Sequence, residues 1–381
     1  MSRYQKRFYS SLITLGSIVT ILIILQLLKS SPAVSEWWSR TISRGEQTVN
    51  NFLFGWLPFS LFEILLILFA LYIIGWLALS IRHVARFKLK GSSKYWINLG
   101  TVISLILVVY TGTAGMEYNR YPVEIPQHTE LIDDTAKYKD IGQYFQNDFN
   151  EISHQFSYRE DGSLICPYSR KEMNEIMQQE FKKLDSEYYT KATAKAKHLN
   201  LLGWMYRELQ ITGVAFGPTG EANVNQLAPA NEYAFTLAHE VAHTKGIIRE
   251  EDANLVAAYI CLTSDNPYLK YNGYMCTISS LSYLVRCTNV AEDYTNFIYG
   301  YSKEIAGDSK YAVEYWKKHD LLQKISDFFN DLYLKLQGDK GTISYTDNID
   351  VVKEDTEYKV KSYSRYQSLY LWIYIDSLNL Y

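Results

Sequence analysis

Tyr233-Ala234-Phe235-Thr236-Leu237-Ala238-His239-Glu240-Val241-Ala242-His243, followed beyond Gly246 by Ile247-Ile248-Arg249-Glu250-Glu251-Asp252-Ala253-Asn254-Leu255-Val256-Ala257-Ala258-Tyr259, is the stretch on which the reading of this chain turns. The residues before His239 favour helix, and on a helix positions i and i+4 share a face, so His239 and His243 can reach one metal ion. Glu240 stands about 100° further round the helix, beside such an ion rather than on it, where it can take a proton from an attacking water. Gly246 can close this helix as its C-cap. Ile247 to Tyr259 reads as a second helix with an acidic first turn, in which Glu250 and Asn254 are again i and i+4.

Two imidazoles and a glutamate at this spacing make the HExxH box of zinc peptidases. With only 7 His in 381 residues, chance seldom produces it. A zinc site that activates water wants three protein donors and one open position. Glu250 is the best third donor, because one carboxylate alongside two neutral imidazoles leaves a single positive charge to polarise the water, and Glu251 is the reserve. Asn254 would orient a ligand His or the carboxylate by a hydrogen bond. The structural alternative for Glu250, Glu251 and Asp252 is an acidic helix start favoured by the helix dipole. A competing motif, HExxHxxGxxH, finds its glycine in Gly246 but meets Arg249 where its third histidine belongs, and an arginine cannot ligate.

A glutamate four residues before Asn or Asp on the helix after HExxH resembles the glutamate-zincin arrangement, in which that Glu is the third ligand. Phe216-Gly217-Pro218-Thr219-Gly220-Glu221-Ala222-Asn223-Val224-Asn225, His239 to His243, Gly246 and Glu250 to Asn254 together resemble a bacterial family of uncharacterised membrane proteins, a domain of unknown function with a zinc-peptidase box. The family pattern EDEAN stands here as Glu250-Glu251-Asp252-Ala253-Asn254, keeping the first Glu and the Asn. The resemblance implies three N-terminal membrane helices followed by an HExxH-bearing C-terminal domain, and it lends no substrate.

The chain has 48 % apolar and 21 % charged residues and a net charge of −3, which offers no basic footprint for nucleic acid. Three uncharged or nearly uncharged runs of membrane length lie near the N-terminus, at about 11–28, 58–81 and 96–113, with Glu63 the one acidic group in the second. The first could instead be a signal peptide with a weak cleavage site at Ala33-Val34-Ser35. Arg3, Lys6 and Arg7 precede the first run, and Arg82, Arg86, Lys88, Lys90 and Lys94 lie between the second and third. The longer loop between the first two runs has only Lys29, Arg40 and Arg44, so the N-terminus belongs in the cytoplasm and everything after Thr113 outside it. Trp37, Trp38, Trp56 and Trp96 suit interfacial anchors.

Residues 1–116 therefore read as a multi-pass anchor in the lipid bilayer, 117–135 as an extended, proline-bearing linker, and 136–381 as a mostly helical, zincin-like (α+β) soluble domain, mainly α for the chain as a whole. Helices are expected over Tyr138 to Ser153, Ser169 to Tyr188, Lys191 to Leu209, Tyr271 to Val285, Val313 to Leu336 and Ser362 to Leu378. Ile211 to Gly217 reads as a short strand before a Gly-Pro-Thr-Gly turn, either a plain hairpin or an edge that binds a peptide backbone by strand addition. Cys166, Cys261, Cys276 and Cys287 allow three pairings or none, buried free thiols being the bland reading, and no CxxC suggests a second zinc. Among 33 tyrosines, Tyr271, Tyr274, Tyr363 and Tyr366 are candidates to stabilise an oxyanion.

The expected activity is hydrolysis of peptide bonds in a peptide or protein substrate outside the cytoplasmic membrane. His239, His243 and Glu250 would hold zinc, and Glu240 would be the base. The alternative is a non-catalytic zinc-binding scaffold at the cell surface. An intramembrane protease would need the box within a membrane helix, whereas His239 lies well beyond the last run among charged neighbours. Oligomeric state is not legible.

Overall fold

A computed structural model describes residues 3–88, 91–123, 135–184, 193–337 and 350–362. Three helices, α1 (Arg3–Lys29), α4 (Leu61–Phe87) and α5 (Ser93–Thr113), are long and apolar enough to cross a membrane. Leu15 meets Gly100 and Gln26 Nε2 donates to Thr111 Oγ1 at 3.2 Å, so α1 and α5 run parallel. The C-terminal half of α4 meets the start of α5 through Trp76 and His83. The ends at Lys29, Leu61 and Thr113 therefore share one end of the bundle.

The loop between the first two spans is itself helical, which the sequence reading did not anticipate. It comprises α2 (Pro32–Trp38), a π-helical turn at Ser39–Ser43, and α3 (Arg44–Phe54). Beyond α5, a 3-10 turn at Gly115–Asn119 buries Met116, Glu117 and Tyr118, and Arg120 and Val123 are buried too. The described part of the expected linker is thus packed rather than extended, its Val123 N–H donating to Asp252. Residues 124–134 lie outside the described residues.

The remainder is mainly helical: α6 (Thr135–Ser153), α7 (Arg170–Lys183), α8 (Gly203–Glu208), α9 (Ala230–His243), α10 (Glu250–Thr263), α11 (Pro267–Arg286), α12 (Ala291–Tyr299), α13 (Lys303–Lys318) and α14 (Gln323–Leu336). Local chemistry sets several starts. Ser169 and Glu172 form a reciprocal capping box on α7, and Asn266 Oδ1 accepts from Tyr268 and Leu269 N–H at the head of α11, whose Pro267 needs no donor. The core packs α9 against α10 and α11, and α11 against α6, around Tyr268, Tyr271, Tyr274, Phe145 and Phe149 in edge-to-face contacts. Each such buried ring contributes roughly 1.5–3 kcal/mol.

A small sheet of order β1-β3-β2 lies against α9, with β1 (Lys197–His198) parallel and β2 (Gly213–Phe216) antiparallel to β3 (Glu221–Val224). The expected strand at 211–217 is present as β2, turned at Gly217–Thr219 into β3. A separate hairpin joins β4 (Asp350–Glu354) to β5 (Glu357–Ser362).

Two expected helices are corrected. The described part of Lys191 to Leu209 is the strand β1 and the short α8, because the Asn200, Leu201 and Leu202 N–H groups donate to the Glu63 carboxylate of α4 at 3.0, 2.9 and 2.7 Å rather than to a preceding turn. Val313 to Leu336 is broken between α13 and α14, where Gln210 Nε2 donates to the Trp316 and His319 carbonyls and Leu322 N–H to Glu208 O. The helix expected at Ser362 to Leu378 falls outside the described residues.

The two parts of the chain share a polar interface. The N–H groups of Leu61 and Phe62, the start of α4, donate to the Glu221 carboxylate at 3.1 and 2.9 Å. Lys197 Nζ, buried, bonds both Glu221 and the Phe54 carbonyl.

Candidate metal centre

α9 ends in a Schellman motif: Ile247 N–H returns to Ala242 O and Gly246 N–H to His243 O, with Gly246 at φ +86°. The motif delays the second helix, which begins at Glu250 rather than at Ile247. It also turns the Ile247 carbonyl onto His243, whose Nδ1 donates to it at 2.7 Å. Arg120, braced by Glu36 of α2, donates to Gly246 O at 2.9 Å and ties the loop to the anchor.

That turn brings α10 back across α9 so that the three expected donors converge. Glu250 Oε2 lies 3.1 Å from His239 Nε2 and 3.6 Å from His243 Nε2, and all three donor atoms fall within 4.8 Å of one another. Bonds of about 2.0–2.1 Å in a tetrahedron hold donors roughly 3.4 Å apart, so the spacing fits zinc. The ring nitrogens fit as well: His239 Nδ1 faces Asn254 Oδ1 at 2.8 Å and His243 Nδ1 faces a carbonyl, which leaves both Nε2 lone pairs directed at Glu250. Asn254, four residues beyond Glu250 on the same helix, thus fixes the orientation of the His239 ring. Glu251, the reserve donor, is not in the cluster.

The electrostatics follow from burial and proximity. Although burial opposes ionisation of Glu250, the charges and hydrogen bonds of His243 and His239 hold its carboxyl well below the usual range. Burial likewise opposes a charged His243, but Glu250 outweighs it and raises the imidazole to about 9. A cation held by the three donors would take the place of that proton.

Glu240 lies outside the donor set, one residue past His239, beside the Ala215 backbone of β2. Burial pushes its carboxyl above the ordinary carboxylate range, and the two imidazoles offset this only in part. Strand β2 passes so close that a Cβ on Gly213 would lie 2.5 Å from Glu240 Oε1. β2 is the outer strand of its sheet, and it forms one wall of a cleft of about 880 Å³ that contains His239, Glu240, His243 and Glu250.

Other walls of this cleft come from places the sequence gave no reason to connect. Tyr110, Thr113 and Ala114 at the end of α5, Gln47 of α3, and Ile325, Phe329 and Tyr333 of α14 all line it. Tyr110 and Tyr333 join hydroxyls at 2.6 Å. These two replace Tyr271 and Tyr274 as candidates for an electrophile, since those are fully buried in the core and donate to Asp308 and Asp148. Tyr363 and Tyr366 lie outside the described residues. The four cysteines are free thiols, two of them buried.

No curated protein and no solved structure matches the chain. A family model described as "Protein of unknown function (DUF3810)" matches residues 38–352, which takes in the second and third long apolar helices, the interface and the whole donor cluster, and the chain belongs to that family.

Proposed function

We propose that this protein is a membrane-anchored, zinc-dependent peptidase of glutamate-zincin-like construction, with His239, His243 and Glu250 as metal ligands, that works outside the cytoplasmic membrane. The observation that carries the reading is the convergence of those donors at tetrahedral spacing, with each histidine's other nitrogen engaged and Glu240 left beside the cluster. The Lys and Arg distribution around the spans supports an external site.

A zinc ion held there would supply a Lewis acid to polarise a carbonyl and acidify water. Glu240 is the proton carrier: it sits in a buried cleft that pushes its carboxyl above the ordinary carboxylate range, which suits a base that takes a proton from the attacking water and returns it to the leaving amine. The close passage of β2 at Gly213 confines its carboxylate. The free side of β2 offers backbone groups for an extended substrate to pair with, and the Tyr110 and Tyr333 hydroxyls, which line the same cleft, are the candidates to donate to a developing oxyanion.

The test uses the purified full-length chain: metal content, then cleavage of a peptide library with and without chelator. Glu240→Gln should keep one zinc and lose cleavage, whereas His239→Ala should lose both. Wild-type turnover in Glu240→Gln would refute the assigned base. Stoichiometric zinc with no cleavage by the wild type would favour the non-catalytic scaffold.

A further inference from the structure

The inner face of α3 carries the buried Gln47 and Asn50 and that of α14 the buried Leu334 beside Tyr333, while the outer faces of both helices are bare apolar stripes. On α14 the stripe is Ile325, Phe328, Phe329, Leu332 and Leu336, spaced i, i+3, i+4, i+7 and i+11, with Phe328 64 % and Leu336 74 % exposed. On α3 and the residue pair after it the stripe is Val49, Phe52, Leu53 and Trp56, with Phe52 81 % and Trp56 72 % exposed.

Both helices are fixed at the level where the spans end. Tyr333 of α14 meets Tyr110 one turn before the end of α5, and Gln337, just after α14, accepts from Lys29, the last residue of α1. α3 reaches the start of α4 within a few residues, and the Asn50 amide on its inner face donates to Pro218 O in the β2–β3 turn at 3.4 Å. Amphipathic helices placed at the ends of apolar spans, with tryptophan on the bare face, are what a bilayer interface covers, and the long apolar helices beside them expose their own apolar side chains as well.

We propose that α3 and α14 lie in the outer interface of the same bilayer the spans cross, so that the cleft opens onto the membrane surface and its substrate is the juxtamembrane stretch of a membrane-anchored polypeptide. The substrate class rests on the peptidase reading above, whereas the placement of the two helices does not. The cleft walls support the link: Ile325 and Phe329 belong both to the exposed stripe of α14 and to the cleft, and Gln47 of α3 lines the same cleft.

The experiment uses the full chain in phosphatidylcholine–phosphatidylglycerol vesicles. A nitroxide on Phe328→Cys, read by power saturation against unlabelled-site background, should be relaxed by oxygen and shielded from a water-soluble nickel chelate, while one on Lys310→Cys, exposed on α13, should show the reverse. A Phe328 label open to the nickel chelate overturns the placement, and one shielded from both relaxants reports a protein partner and overturns it too. One peptide selected from a random library by cleavage with the full chain is then offered free or fused to a single membrane span in the same vesicles. The anchored form should be cut at least tenfold faster. Equal rates with a lipid-buried label overturn the substrate class alone. A random library from which a zinc-holding chain cleaves no peptide at all sinks the peptidase reading and with it the substrate class, while the label still decides the surface.

Discussion

Gly213→Ala tests whether β2 positions the base. A Cβ at Gly213 would lie 2.5 Å from Glu240 Oε1, 2.6 Å from its Cγ and 2.8 Å from its Cδ, all inside the 3.0 Å that real Cβ atoms respect, so the carboxylate must retreat by at least about half an ångström. The three nearest atoms to that Cβ all belong to Glu240, and the φ of Gly213 is not in the left-handed region, so the change should fall first on Glu240 and leave metal binding and backbone strain little altered. A displacement of about 1 Å at a reacting group typically costs on the order of 100-fold, so turnover should fall by roughly 10- to 100-fold. The assay is kcat and KM on the library-selected peptide, alongside zinc content and Tm. The expected pattern is a loss in kcat with full zinc occupancy and a Tm close to wild type. Undiminished kcat would show that Glu240 is not held against β2 as described, and loss of zinc would show that the strand serves the ligands instead.

Asn254→Ala removes the acceptor on His239 Nδ1 and should weaken zinc binding by about 10- to 100-fold, read by competition with a chromogenic chelator. Glu63→Ala orphans the N–H groups of Asn200, Leu201 and Leu202, each worth about 1–3 kcal/mol, so Tm in detergent should drop by at least roughly 6 °C, with a smaller drop for Glu63→Gln. Burial raises the Glu117 carboxyl from 4.5 to about 7, offset only in part by the Ser39 hydroxyl and the Arg120 charge. The folded state therefore binds the extra proton between those values: its stabilisation is complete below about pH 4.5 and is lost as pH rises through 7, a span worth roughly 3 kcal/mol at most. Thermal melts should show Tm falling from pH 5 to pH 8, and Glu117→Gln should flatten part of that slope. Tyr333→Phe should lower kcat more than it raises KM, and equal effects on both would assign the hydroxyl to binding alone.

The donor cluster was legible because each half of it is local. His239 and His243 are paired by one helix, Glu250 and Asn254 by the next, and the glycine that sets the angle between them stands between the two at Gly246. The long apolar helices were legible because length and composition suffice for them. What escaped was non-local. No pattern within 191–209 announces that its N–H groups go to a carboxylate on a helix far upstream, and no period around 319–322 reveals that Gln210 caps the helix before it. α2 and α3 escaped for another reason: their stripes are too short and too mixed with polar residues to stand out in a loop already flanked by apolar spans. Tyr110 and Tyr333 carried no signal at all, since only the assembled chain brings them to the same cleft.

The meeting of Tyr110 with Tyr333 also sets an order in time. They are 223 residues apart, and at about 5–20 residues per second a ribosome needs roughly ten to forty-five seconds to make the second after the first. Through that interval the first wall stands without its counterpart. A nascent chain can shape the helix carrying His239 well before the cleft has a far side, so the cleft is complete only once α14 has been made.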